Sequence, residues 1–259
     1  MLLSIDIGNT HTVVGIFDKE KLVAHWRLSS TLSRTEDEFW LIMKLLGEQI
    51  NISTKAIDGV VISSVVPNLT HIFKTMAEKY IHVNPIIVSA ELKLSIKIKY
   101  DDPKAVGADR LCNAVAAYKK YGGPAIIIDF GTATTYDVVS KRGEYLGGVI
   151  APGIETAGAE LHRRAARLPK IELRIPTNVI GKNTVESMQS GILFGAIDAM
   201  EGMIKRIKKT TGIKTKVITT GGYSKLLCQK SKLVDRCEPW LVLEGAMMIY
   251  NMNKGKGRK

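Results

Sequence analysis

Cysteine is scarce in this chain. Its 259 residues hold three, Cys112, Cys228 and Cys237, and none stands in a CxxC spacing. That argues against structural zinc and a disulfide framework and fits a reducing, cytoplasmic setting. The five histidines, His11, His25, His71, His82 and His162, show neither i, i+4 pairing nor a nearby cysteine, so no metal-binding pattern emerges from them. No apolar stretch is long enough to span a bilayer, and the first residues run straight into a strand pattern carrying Asp6 rather than a secretory leader. A Walker GxxxxGK[ST] motif is missing, which speaks against a P-loop kinase. Acidic residues are missing locally: between Gly202 and Val234 there are nine Lys or Arg and no Asp or Glu.

That local bias contributes to a formal net charge of +12, which invites a nucleic-acid reading. The distribution argues for a solvated basic face instead. Lys205, Arg206, Lys208 and Lys209 close a long helical pattern, where cations favour the dipole. Lys254, Lys256, Arg258 and Lys259 form a short tail, and Tyr223 is the only aromatic within the basic stretch. Apolar and charged contents of 45 % and 24 % are those of an ordinary globular chain with ample core.

What the chain does have is a repeated phrase. SIDIGNTHTVVGIFD opens it, and IIIDFGTATTYDVV follows with Asp129 standing 123 positions after Asp6. Each copy reads as a strand, then Asp-x-Gly, then a polar turn with Thr, then a second strand. A glycine-containing turn that gathers backbone N–H groups forms a concavity for phosphate, and an adjacent Asp suits a divalent metal on that phosphate. A tight turn alone would also favour Asp, Gly and Asn. Two copies point to related half-domains sharing a nucleotide.

Patterning predicts strands at 2–7, 11–17, 21–28, 59–67, 85–90 and 93–103, with helices at 37–50 and 68–81. A helix is expected over 108–121, with Asp109 in its first turn and Gly122 past its end. Strands follow in AIIIDF, TTYDVVS and EYLGGVIAP. After them come a helix at 155–167, a long helix at 184–209 with Gly195 as a candidate break, a strand at 216–222 and a closing helix. The order is βββαβα, given twice with variations, and implies an α/β fold with a partly parallel sheet. No linker separates the halves, and the boundary is placed at residue 105, giving 1–105 and 106–259.

Such paired hairpins resemble the actin-like ATPase and sugar-kinase superfamily. Within it the chain is similar to the type III pantothenate kinases almost end to end, through DIGNTHTV (6–13), GADR (107–110), DFGTATT (129–135), GGVIAPG (147–153), IGKNTVESMQSG (180–191) and TTGG (219–222). The resemblance implies two duplicated ribonuclease H-like domains, each a mixed sheet flanked by helices. It implies transfer of the γ-phosphoryl group of ATP to the primary hydroxyl of pantothenate, the first step of coenzyme A synthesis.

The resemblance also assigns residues. ATP and its phosphates fall to Asp6, Ile7, Gly8, Asn9, Thr10, His11, Thr12 and Val13, and to Thr132 of the second hairpin. Asp6 handles Mg²⁺, directly or through water, and Asp129 a monovalent cation, K⁺ or NH₄⁺. Asp109 is the candidate catalytic base, with a helix-capping role as its plain alternative. Tyr100, Gly107, Ala108, Asp109, Arg110 and Thr184 contact pantothenate, Arg110 by holding a carboxylate through paired hydrogen bonds. Thr184 closes the substrate site near the interface of a homodimer, although Asn183 or Thr184 equally reads as a helix N-cap. The Gly221-Gly222 turn lies against the adenosine or is an ordinary strand-to-helix turn. A kinase for another small hydroxylated acceptor and a non-catalytic transcriptional accessory protein are the competing readings.

Overall fold

A computed structural model describes residues 1–212 and 214–255; Lys256, Arg258 and Lys259 of the basic tail lie outside the described residues. In chain order the elements are β1 (Leu2–Ile7), β2 (His11–Asp18), β3 (Lys21–Ser29), α1 (Glu36–Glu48), β4 (Gly59–Ser64), α2 (Pro67–Met76), β5 (Ile86–Ile87), β6 (Lys97–Ile98) and α3 (Ala108–Tyr121). They continue as β7 (Ala125–Phe130), β8 (Ala133–Val139), β9 (Glu144–Pro152), α4 (Ile154–Arg164), α5 (Thr184–Thr211), β10 (Lys216–Gly221), α6 (Ser224–Cys228), β11 (Arg236–Cys237) and α7 (Leu241–Asn253). By contacts the chain forms two units, Met1–Lys119 with Leu241–Lys259, and Lys120–Trp240. Nearly all of α3, and α7, therefore pack with the first unit although both follow residue 105 in sequence.

The first unit is built on a sheet of order β3-β2-β1-β4-β5. β1 pairs antiparallel with β2 and parallel with β4, so it lies inside the sheet. An inner strand loses both faces to the core, which is why LLSIDI is apolar except at Ser4 and Asp6. Leu3, Ile5, Ile7, Val14, Val60 and Ile62 meet Phe39 and Met43 of α1 and Leu69 and Phe73 of α2. The Phe39 and Phe73 rings lie in contact, with centroids 4.4 Å apart at a tilt of 37°. α1 begins with a capping box: Thr35 accepts from Glu38 N at 3.4 Å while its own N–H donates to Glu38 at 2.8 Å.

The second unit repeats the plan in the order β11-β10-β7-β8-β9. β7 pairs antiparallel with β8 and parallel with β10, as β1 does with β2 and β4. α5 covers this sheet with Met188, Ile192, Leu193, Ile197, Met200 and Ile204, a spacing that keeps one helical stripe inward. The helix runs unbroken over 28 residues, through Gly195. Glycine costs a helix only about 1 kcal/mol against alanine, and the buried stripe on both sides of Gly195 outweighs that. The segment at 93–103, by contrast, is a strand only at Lys97–Ile98. Alternation makes a chain extended, but a strand also needs a neighbour along its length.

α3 is deeply buried. Nine of its residues are buried, Arg110 and Asn113 among them. Such depth requires a close neighbour, and α7 supplies it: a Cβ on Gly245 would collide with the backbone carbonyl of Cys112. Gly245→Ala therefore sets two effects against each other. Helix propensity favours Ala by about 1 kcal/mol, whereas overpacking against rigid backbone costs about 3 kcal/mol. Packing wins by this reckoning, so urea unfolding is expected to show a lower midpoint for Gly245→Ala at unchanged slope.

Candidate active site

The site residues of the first unit gather where β1, β4 and α3 meet. β1 carries Asp6 at its carboxyl end, opposite Val13 of β2 and Ser63 of β4. Ligand sites in α/β sheets lie beyond the carboxyl ends of strands. The turn that follows is closed by Gly8 N donating to His11 O at 3.0 Å, where a Cβ on Gly8 would lie 3.1 Å from that oxygen. Ser30 clamps it from β3's end, donating to Gly8 O at 2.7 Å and lying 2.9 Å from the Thr12 hydroxyl. Asn9 and Thr10 are exposed at the tip, His11 and Val13 are half-buried, and the side chains of Ile7 and Thr12 are fully buried. The turn thus presents backbone and the Asn9 and Thr10 side chains outward, the arrangement a phosphate needs.

Asp109 sits in the first turn of α3, where negative charge is favoured. Its Oδ1 accepts from Arg110 N at 2.8 Å. A Cβ on Gly107 would come within 2.5 Å of the same oxygen, so the carboxylate folds over Gly107 and a side chain there would displace it. Burial pushes the Asp109 carboxyl above its ordinary 3.8, and the Arg110 amide and guanidinium pull part of the way back. A carboxylate of raised basicity at a helix start is suited to receiving a proton. Capping and proton acceptance coexist here, since one oxygen serves the amide. Ala108 and Arg110 are buried beside it, and Tyr100 is 37 % exposed.

Two residues of this group escape a sequence reading. Ser63 is fully buried and donates to Asp6 Oδ1 at 2.9 Å. The Cys112 thiol, also fully buried, lies beside Ser63; burial, and then the charges of Asp6 and Asp109, hold the thiol well above its usual range. The available signal was the Ser63-Ser64 pair at the end of an otherwise apolar strand.

The second unit holds a parallel arrangement around Asp129. Gly131 N donates to Ala133 O at 3.1 Å, closing the hairpin. Gly153 N and Thr156 Oγ1 both donate to Thr132 O, at 3.1 and 2.6 Å. Gly221, at φ +88°, lies so close that a Cβ there would strike Asp129 Oδ1 and the Phe130 backbone. Gly221 therefore belongs to the wall beside Asp129. Thr132 is exposed at the tip. Among the described residues no three His, Cys, Asp or Glu cluster as a metal site. Single carboxylates nevertheless suit Mg²⁺, which keeps waters and substrate phosphates as its other ligands. Asp129 likewise offers a hard oxygen donor.

Asn183 is the N-cap of α5, accepting from Glu186 N at 2.9 Å. Thr184 is thereby left at the first helical position, exposed. Val185 beside it is 41 % exposed, and Val179 and Ile180 are 67 % and 84 % exposed.

The fold is that of the actin-like ATPase and sugar-kinase class, two mixed sheets each flanked by helices. Solved structures share it across 95 to 96 % of the chain: a Baf family protein of Campylobacter jejuni (TM-score 0.62, 18 % identity, 97 % of that chain) and the Lmo2764 protein of Listeria monocytogenes (0.54, 12 %, 98 %). Component A of the Acidaminococcus fermentans (R)-2-hydroxyglutaryl-CoA dehydratase does likewise (0.53, 14 % identity, 94 % of that chain). At such identities the likeness shows the fold alone. The family is shown by sequence: the type III pantothenate kinase model matches residues 2–206. The type III pantothenate kinase of Halalkalibacterium halodurans is 46 % identical over 253 residues, covering 98 % of this chain and all of that one. That of a Geobacillus species (strain WCH70) is 44 % identical over 256 residues, covering 99 % of each. The chain belongs to the type III pantothenate kinase family.

The raised Asp109 carboxyl has a consequence for stability. The folded state holds this proton to a higher pH than the unfolded chain does. Its contribution is most favourable below the unfolded value and falls as pH rises through the folded value. Asp109→Asn keeps the Oδ1 acceptor and removes the buried charge. At pH 7 its Tm is expected to equal or exceed the parent's, with the gap closing as pH falls into the carboxylate range; a Tm well below the parent's at pH 7 would contradict this.

Proposed function

We propose that this chain transfers the γ-phosphoryl group of ATP to the primary hydroxyl of pantothenate, the first step of coenzyme A synthesis. The observation that carries the reading is Asp109: a desolvated carboxylate of raised basicity at a helix N-terminus, inside a chain whose family match runs from residue 2 to 206. Phosphoryl transfer asks a protein mainly for alignment, charge neutralisation and an acceptor for the hydroxyl proton. In this reading Asp109 takes that proton.

The remaining roles follow residue by residue. Gly8, Asn9 and Thr10 hold phosphates through turn amides and side chains, with Ile7, His11, Thr12 and Val13 completing the ATP-binding segment. Thr132 contacts ATP from the second hairpin. Bound Mg²⁺ supplies charge neutralisation at the phosphate oxygens, with Asp6 as its protein ligand, directly or through water; Asp129 with hairpin carbonyls holds K⁺ or NH₄⁺. Arg110 meets the pantothenate carboxylate, Gly107 and Ala108 allow close approach, and Tyr100 contacts the substrate from the segment after β6.

Thr184 closes the substrate site in a homodimer. The exposed apolar Val179, Ile180 and Val185 beside it support a pairing surface. The halves 1–105 and 106–259 are the duplicated units of the sequence, in keeping with the matching β1-β2-β4 and β7-β8-β10 pairings. Free Cys112, Cys228 and Cys237 accord with a cytoplasmic setting. Nucleic acid has no part in this reading.

A coupled assay of ADP release with ATP, Mg²⁺, K⁺ and pantothenate tests the proposal. Pantothenate-dependent turnover is expected. Its absence in folded protein across several cations, or turnover with a sugar and none with pantothenate, overturns it. In the same assay Asp109→Asn is expected to lower kcat by about 10² to 10⁴ while ATP affinity stays within twofold. Full turnover would leave Asp109 as a cap.

A further inference from the structure

The strand β4 ends in two serines with opposite commitments. Ser64 serves local backbone: its Oγ donates to Val66 O at 3.3 Å, accepts from Val66 N at 3.1 Å and accepts from Thr70 at 2.6 Å. These bonds shape the start of α2. Ser63, one residue earlier, points to the other face. It is in register with Asp6 on the parallel strand β1, and its hydroxyl donates to Asp6 Oδ1 at 2.9 Å.

Ser63 has a single proton to give, and the carboxylate takes it. Ser63 is fully buried, so water does not compete for this bond. A hydrogen bond to a charged acceptor is stronger than a neutral one. Cys112 of α3, also fully buried, lies beside Ser63 and is itself fixed by the contact of its backbone with Gly245 of α7.

We infer that Ser63 is a positioning residue for magnesium-bound ATP: its buried hydroxyl fixes the rotation of the Asp6 carboxylate, so that the oxygens meeting the cation's shell are set before the nucleotide arrives. The inference rests on the reading of Asp6 as the magnesium residue. A carboxylate with one oxygen pinned by a buried donor reorganises less on binding than one free to rotate, and groups holding a metal's ligands commonly shift its affinity by 10- to 100-fold.

Calorimetric titration of the full-length protein with ATP, with and without Mg²⁺, separates this role from a structural one. Ser63→Ala is expected to weaken Mg²⁺-dependent ATP binding about tenfold. Magnesium-free ATP binding should change less than twofold, as should the KM for pantothenate. Ser63→Thr, which keeps a hydroxyl donor, should recover at least half of that loss. An equal loss with and without Mg²⁺ overturns the inference in favour of a packing role. So does Mg²⁺-ATP affinity within twofold of the parent in Ser63→Ala, while Asp6→Asn binds weakly. If Asp6→Asn itself binds Mg²⁺-ATP normally, the reading of Asp6 fails and the inference falls with it. Should Ser63→Ala not fold, Ser63→Cys, a weak donor of similar size, decides, parent-level Mg²⁺-ATP affinity in it counting against.

Discussion

In the first unit the backbone of α7 comes against the backbone of α3 at Gly245 and Cys112, with no room for a side chain between them. That approach lets α3 lie buried along most of its length. The position of α3 then fixes two things together. Its first turn sets where the Asp109 carboxylate lies and how far water is kept from it. One turn later, its Cys112 lies beside Ser63, the residue that donates to Asp6. The proposed base and the proposed magnesium residue are thus tied to a single helix.

The repeated phrase acquires a sharper meaning from this. Both copies end a central strand in an Asp and close a short turn through glycine, yet their surroundings differ. Asp6 is backed by a buried hydroxyl. Asp129 is walled by Gly221. The two hairpins are alike in chain path and unlike in what surrounds their carboxylates.

Much of this was legible in the sequence. Apolar runs ending in Asp-x-Gly marked β1 and β7 as strands with a polar end, and Gly122, at φ +71°, marked the end of α3. The hairpins stood out as a repeated phrase, and the GADR segment through the family resemblance. What remained hidden depended on partners far away in sequence. Ser63 looks like any strand-end serine until β4 is known to lie beside β1. Cys112 reads as a core residue, and Gly245 as a weak point of a closing helix, until α7 is seen against α3. The capping role of Asn183 over Thr184 was undecidable from spacing alone, because either side chain can reach the third amide.

The central claim is that burial at the start of α3 makes Asp109 a proton acceptor of raised basicity. Its most direct test is the pH dependence of kcat/KM for pantothenate, which reports ionisations of the free enzyme. The account predicts activity lost on the acid side with an apparent pKa above 3.8, the ordinary aspartate value. An acid limb at or below that value, or the same limb persisting in Asp109→Asn, would contradict it.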